Sequence, residues 1–145
     1  MKLVAKHKED EMKISSRIAV LAGSLLLSSA SSSFAAAQDY DAIYSKCLKD
    51  AGGANNSSVF SCAEDTTVVI KKEMNRLYDQ IHKTISEASK EDAQKFETSQ
   101  KAWLSYRNTQ CELATTYVGS PMEAYCPMQL NIARVKELRV LAGEE

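Results

Sequence analysis

Proline and glycine are scarce in this chain, with 2 and 5 among 145 residues. Both interrupt regular backbone, so their scarcity leaves room for long helices and argues against a sandwich or barrel built from many turns. Long apolar runs are missing too: the longest, Ile18 to Leu27, is about half of what a membrane-spanning helix needs. Neither sign of charge dominates, since 18 Lys and Arg face 19 Asp and Glu for a net charge of −1. With no basic patch or stripe, nucleic acid is not an expected partner. No C-x-x-C pair supplies the close ligands of a zinc site. No Ser-His-Asp order or G-x-S-x-G elbow is visible either. No metal, no cofactor and no catalytic residue are therefore expected.

What is present begins with an export signal, expected over residues 1–37. Met12-Lys13-Ile14 through Arg17 forms a basic start, Ile18–Leu27 an apolar centre, and Ala35-Ala36-Ala37 an A-x-A cleavage pattern before Gln38. Residues 1–11 are unusually polar and acidic for such a segment, so Met12 is a second candidate start. No cysteine follows the apolar run directly. The first is Cys47, so the expectation is a soluble periplasmic or secreted protein of bacterial style, without a lipid anchor. Removing 37 of 145 residues leaves 108, which suits one small domain near the size where staples help stability. Residues 38–145 carry 13 Lys and Arg against 16 Asp and Glu, a net charge of −3.

The domain reads as all-α, a small disulfide-stapled bundle of about four helices. A first helix is expected over about Asp39–Asp50, stopped by Gly52-Gly53 and a polar turn through Ser58. Ser61 and Glu64 have the spacing of a capping box for the second. Ile70, Met74, Leu77, Ile81 and Ile85 then form an apolar face, strong enough to outweigh the β-branched run Thr66–Ile70. Ser89-Lys90-Glu91-Asp92 starts a third helix that runs to about Tyr117 and ends at Gly119. It carries Ala93, Phe96, Gln100, Trp103, Arg107, Cys111 and Ala114 on one side. Ser120-Pro121-Met122-Glu123 looks like another capping box opening a short turn of helix. Pro127 is read as restarting the chain. The last helix is expected to pack through Leu130 or Ile132, Val135, Leu138 and Leu141.

Four cysteines allow three pairings. The simplest joins Cys47 to Cys62 and Cys111 to Cys126, two equal spans that each close one helix–turn–helix junction. In the loop-entropy description each closure contributes about 3 kcal/mol. Export favours disulfides over zinc, and the single histidine of residues 38–145, His82, is far from every cysteine in sequence.

Gln100-x-x-Trp103-x-x-Tyr106-Arg107-x-x-x-Cys111 resembles the central motif of the LprI-like lysozyme-inhibitor N-terminal domain family, small exported bacterial proteins. Cys62-Ala63, Asn75-x-x-Tyr78, Cys126 and Arg134-x-x-Glu137-Leu138 follow in the family's order, over about Cys47 to Leu141. Asn131 stands where the family usually has threonine. The resemblance implies a helical, disulfide-bonded envelope domain and a protein partner, a lysozyme. It supplies no inhibitory residues to carry over.

Trp103, Tyr106 and Arg107 could form a recognition patch, but Trp103 is expected to fill the core and Arg107 to pair with a carboxylate. Asn75 is expected to bond a neighbouring backbone, and Tyr78 to pack with its hydroxyl at the rim. Gln100, Arg134 and Glu137 are read as structural. The best binding candidate is the segment Thr115–Tyr125, held at its base by the Cys111–Cys126 pair and displaying Tyr117, Ser120, Met122, Glu123 and Tyr125. His82 is placed at the edge of an apolar face, and Asp79, Glu91 and Asp92 on solvated faces or caps. Two N-x-S sequons at Asn55 and Asn56 are read as chance matches. The leading expectation is a periplasmic or secreted, non-enzymatic inhibitor of a lysozyme-type muramidase. The alternative is a non-catalytic envelope structural or adaptor protein that docks another envelope protein.

Overall fold

The computed structural model describes residues 37–144. The expected export signal lies, but for Ala37, outside the described residues. Four helices follow one another: α1 Tyr40–Asp50, α2 Asn56–Ala88, α3 Lys90–Val118 and α4 Met122–Ala142. No strand occurs among the described residues. The all-α, twice-stapled bundle expected from the sequence is what forms.

Local signals explain most helix ends. The Asp39 carboxylate accepts from the Ala42 amide at 2.9 Å and starts α1. Gly52 and Gly53, at φ 82° and 117°, take the left-handed conformations that reverse the chain after it. The start of α2 differs from the expectation. Its capping box is Asn55 with Ser58, not Ser61 with Glu64: Asn55 Oδ1 accepts from the Ser57 and Ser58 amides at 3.0 Å, and Ser58 Oγ accepts from the Asn55 amide at 2.9 Å. The helix is already under way at Ser61, whose hydroxyl donates back to the Ser57 carbonyl at 2.8 Å. The sequon at Asn55 is thus a helix cap. Ser89, alone in extended conformation, both ends α2 and caps α3 through the Asp92 amide at 3.2 Å.

α4 departs further from expectation. It runs unbroken through Pro127 instead of restarting there. The proline comes so soon after the helix start that only one helical hydrogen bond, to the Glu123 carbonyl, is lost. Nor does Ser120 cap the helix. Pro121 takes the cap position without a side-chain bond, and the Ser120 hydroxyl donates to the Glu123 carboxylate at 3.0 Å.

The core runs between α2 and α4, the widest interface in the bundle. Ile70, Met74, Leu77 and Ile81 of α2 meet Met128, Ile132, Val135 and Leu138 of α4, with Phe96 of α3 at one end. Leu141, expected to pack, is 57% exposed, because α4 reaches its end one turn beyond the apolar seam. α1 is held by a polar latch spanning three helices. Arg139 grips Glu73 through two bonds of 2.8 and 2.9 Å, the Tyr40 hydroxyl donates to the same carboxylate, and the Arg139 guanidinium lies 5.7 Å from the Tyr40 ring centre. Arg139 holds the Glu73 carboxyl below the usual carboxylate range. Burial, then Glu73, pushes the Tyr40 phenol upward.

Candidate functional site

The two disulfides are Cys47–Cys62, joining α1 to α2, and Cys111–Cys126, joining α3 to α4, with Cα atoms 5.7 and 5.5 Å apart. Each closes one helical hairpin, and no described cysteine is free.

The α3–α4 hairpin carries the Trp103 segment. Its inward side is the one read from the sequence: Ala93, Phe96 and Cys111 are buried, and Gln100, Trp103, Arg107 and Ala114 half-buried. Trp103 packs against the core from its margin. The guanidiniums of Arg107 and Arg134 lie 5.4 and 5.5 Å from its ring centre, within cation–π range. Arg134 in turn donates to Gln100 Oε1 at 3.1 and 2.9 Å and to Glu137 at 2.7 Å. Gln100, Trp103, Arg134 and Glu137 are therefore one seam between α3 and α4.

Arg107 corrects the expectation of a carboxylate partner. It donates to Asn131 Oδ1 at 3.0 Å and, through Nε and Nη2, to Asn108 Oδ1 at 3.1 and 2.7 Å. Burial without a counter-ion lowers its pKa. Asn131 is wholly buried at 0% exposure, and its amide supplies an acceptor that faces the guanidinium directly.

Asn75 is exposed and makes no side-chain hydrogen bond among the described residues, so the bond expected for it is not formed. The Tyr78 ring stacks on Phe96 and His82 at centroid distances of 5.2 and 5.8 Å. His82 is half-buried, with Nε2 3.0 Å from Glu97 Oε1 and Nδ1 3.4 Å from Ser86 Oγ. This row of serine, histidine and carboxylate has no signature in the sequence, because Glu97 comes from α3. The Ser86 hydroxyl donates to the His82 carbonyl of its own helix at 2.6 Å, an ordinary back-bond within a helix.

The expected binding loop is shorter than the sequence suggested. Thr115–Val118 belong to the last turn of α3 and Met122–Tyr125 to the first of α4, leaving Gly119–Pro121 as the link. Ser120 and Glu123 are exposed and Met122 half-buried. The Tyr125 ring packs against the core, 5.8 Å from the Tyr44 ring of α1. Tyr117 is 82% and Val118 73% exposed at the tip, and they continue an outward stripe with Leu113 and Tyr106, the latter 56% exposed. Tyr106, Leu113 and Tyr117 fall at i, i+7 and i+11, one face of a helix. Sequence reading missed this stripe because inward and outward apolar residues share one helix, and only burial separates them. Residues 108–133 hold two charges, Glu112 and Glu123, and no Lys or Arg.

A cleft of about 270 Å³ opens between α2, α3 and the first turns of α4. Among the described residues no three His, Cys, Asp or Glu side chains are grouped to hold a metal ion, and no helix is long and apolar enough to cross a membrane.

The family model for lysozyme inhibitor LprI matches residues 47–138, from the first cysteine to the last buried leucine of α4. No curated protein and no solved structure matches the chain.

Proposed function

The chain belongs to the lysozyme inhibitor LprI family, and from that membership we propose that it is an exported protein that binds and inhibits a lysozyme-type muramidase. The match over residues 47–138 carries this reading. Two disulfides fit life outside the cytoplasm, and the signal-like pattern ahead of Gln38 fits delivery to the periplasm or beyond.

The contact surface in this reading is the outward face and tip of the α3–α4 hairpin. Exposed tyrosines lose little side-chain freedom on binding and bury large area. The Cys111–Cys126 bond fixes the hairpin beforehand, which lowers the entropic cost of association. With Glu112 and Glu123 as its charges and no cation over residues 108–133, the surface suits a basic hydrolase.

The test is clearance of a peptidoglycan suspension by c-type, g-type and i-type lysozymes, with rising amounts of the purified oxidised protein. Inhibition of at least one enzyme at micromolar concentration is expected. Tyr117→Ala and Tyr106→Ala should each weaken it about tenfold or more, the cost of one interface anchor, while the urea midpoint stays unchanged. Absence of inhibition and of calorimetric binding to all three enzymes defeats the proposal. Inhibition that is indifferent to both substitutions places the contact elsewhere.

A further inference from the structure

The cleft between α2, α3 and α4 has walls of unusual charge. Lys71 and Arg107 face it, and so do Glu64 and Glu123. Among the described residues, none of the four lies within ion-pair distance of an opposite charge. Some charges pair along the helices, while others, Lys72 and Asp79 among them, stay solvated on exposed faces. Lys95 reaches both Glu91 and Asp92 at 2.9 and 3.0 Å, and Arg134 finds Glu137 at 2.7 Å. Two cations and two anions thus share one small space without neutralising each other.

The inner wall lacks acceptors. Arg107 has five N–H groups and places three of them on the neutral amide oxygens of Asn108 and Asn131. The other two have no acceptor among the described side chains, and its charge has no counter-ion. Arginine can only donate, so the Asn131 oxygen must face it and the Asn131 Nδ2 must point the other way. That Nδ2 is buried without a partner, as is the hydroxyl of Thr67 beside the same cleft. Both atoms are sealed from solvent, so the donors that the cleft offers an arriving acceptor are the two unplaced N–H groups of Arg107. Glu64, Glu123 and Lys71, all exposed, stand at the mouth, and Arg107 lies deeper.

We propose that this cleft binds an amino-acid-sized zwitterion, with its carboxylate on Arg107 and its ammonium toward Glu64 and Glu123. The size agrees: 270 Å³ is about nine waters at roughly 30 Å³ each, below the usual range for drug-sized ligands. Charge selects the class. A lone carboxylate at Arg107 leaves the two glutamates without a partner, and a lone amine at the glutamates leaves Arg107 and Lys71 without one. A molecule carrying both charges satisfies both walls at once. The cleft shares Glu123 with the hairpin tip but is otherwise lined by residues outside that surface, so it stands whether or not the protein inhibits a lysozyme.

The experiment is a ¹⁵N–¹H NMR titration of the oxidised protein with glycine, L-alanine and L-glutamine, and with acetate and methylamine as single-charge probes. Saturable shifts are expected at the Asn131 Nδ2 and Arg107 Nε resonances with at least one amino acid at millimolar concentration. Acetate and methylamine should bind at least about tenfold more weakly. Arg107→Lys, which keeps the charge but loses the planar fork, should weaken binding about tenfold. Glu123→Gln, at an exposed position where folding is not at risk, should weaken amino-acid binding and leave that of acetate equal or stronger. The proposal is overturned if no amino acid shifts these resonances, if acetate binds as well as alanine, or if Glu123→Gln leaves amino-acid binding unchanged.

Discussion

Removing the two disulfides one at a time separates two ways in which they could stabilise this protein. Both close loops of the same sequence separation, 15. If the bonds act by limiting the unfolded chain, each is worth about 3 kcal/mol at room temperature and the two are equal. Their native surroundings are not equal. α1 is short and is held by the Tyr40–Glu73–Arg139 latch, whereas α3 and α4 share a long seam with Trp103 between two arginines. A native-state account therefore predicts unequal costs, and the unfolded-state account predicts equal ones. We expect equality. Cys47→Ala/Cys62→Ala and Cys111→Ala/Cys126→Ala should each lower unfolding free energy by about 3 kcal/mol, with a steeper urea dependence because the unfolded chain expands. The melting temperature should fall by roughly 10–20 °C for a domain of this size. The assay is urea unfolding followed by far-ultraviolet circular dichroism. A difference between the two variants larger than about 1.5 kcal/mol, or a loss below about 1 kcal/mol in either, would refute the unfolded-state reasoning.

In the same assay, Asn55→Ala should cost about 1 kcal/mol and Ser61→Ala less than about 0.5, since Asn55 caps α2 and Ser61 does not; the opposite order would move the start of the helix to Ser61. Leu77→Ala, at the wholly buried centre of α2, should cost about 3 kcal/mol, and a loss below 1 would mean that the core collapses around the cavity. Glu73→Gln should cost about 3 kcal/mol, because Arg139 is left half-buried without its counter-ion. Arg139 lowers the folded pKa of Glu73 beneath its ordinary 4.5, so this group's contribution is full above that value and is lost as pH falls through the lower folded value; urea midpoints below neutrality should flatten in Glu73→Gln. Burial, then Glu73, raises the Tyr40 phenol above its ordinary 10.0, so that contribution is full below this pH and declines above it, and Tyr40→Phe should make the alkaline decline shallower, leaving the share of Tyr44 and Tyr78, which burial also raises.

Periodicity made the fold legible where one face of a helix does one thing. Ile70, Met74, Leu77 and Ile81 repeat at helical spacing and are buried as a row, and Ser89 and Gly119 mark real helix ends. Equal cysteine spans pointed to the pairing that forms. Errors arose where two signals of the same kind lay close together. Asn55-x-x-Ser58 and Ser61-x-x-Glu64 both fit a cap, and the earlier one wins because the chain has already turned at Gly53. Pro127 reads as a breaker by composition, but one lost hydrogen bond near a helix start is tolerated when Met128 and Cys126 on either side are buried. The Tyr40–Glu73–Arg139 latch could not be read at all. Its partners are 33 and 66 residues apart, and nothing local distinguishes them from surface residues.

The motif that identifies the family does not divide evenly between fold and function. Gln100, Trp103, Arg134 and Glu137 bond or stack within the seam between α3 and α4, so packing alone accounts for them. Tyr106 lies inside the same motif yet is 56% exposed, and none of the described ring contacts or side-chain hydrogen bonds involves it. Folding makes no demand for a tyrosine there. A helix that needed only solubility at that position would do better with a charged residue, since an exposed aromatic costs apolar hydration. Tyr106 also begins the outward stripe that Leu113 and Tyr117 continue to the hairpin tip. The inward face of α3 therefore states what the protein is built like, and the residue beside it that packing leaves unexplained is the place to look for what it binds.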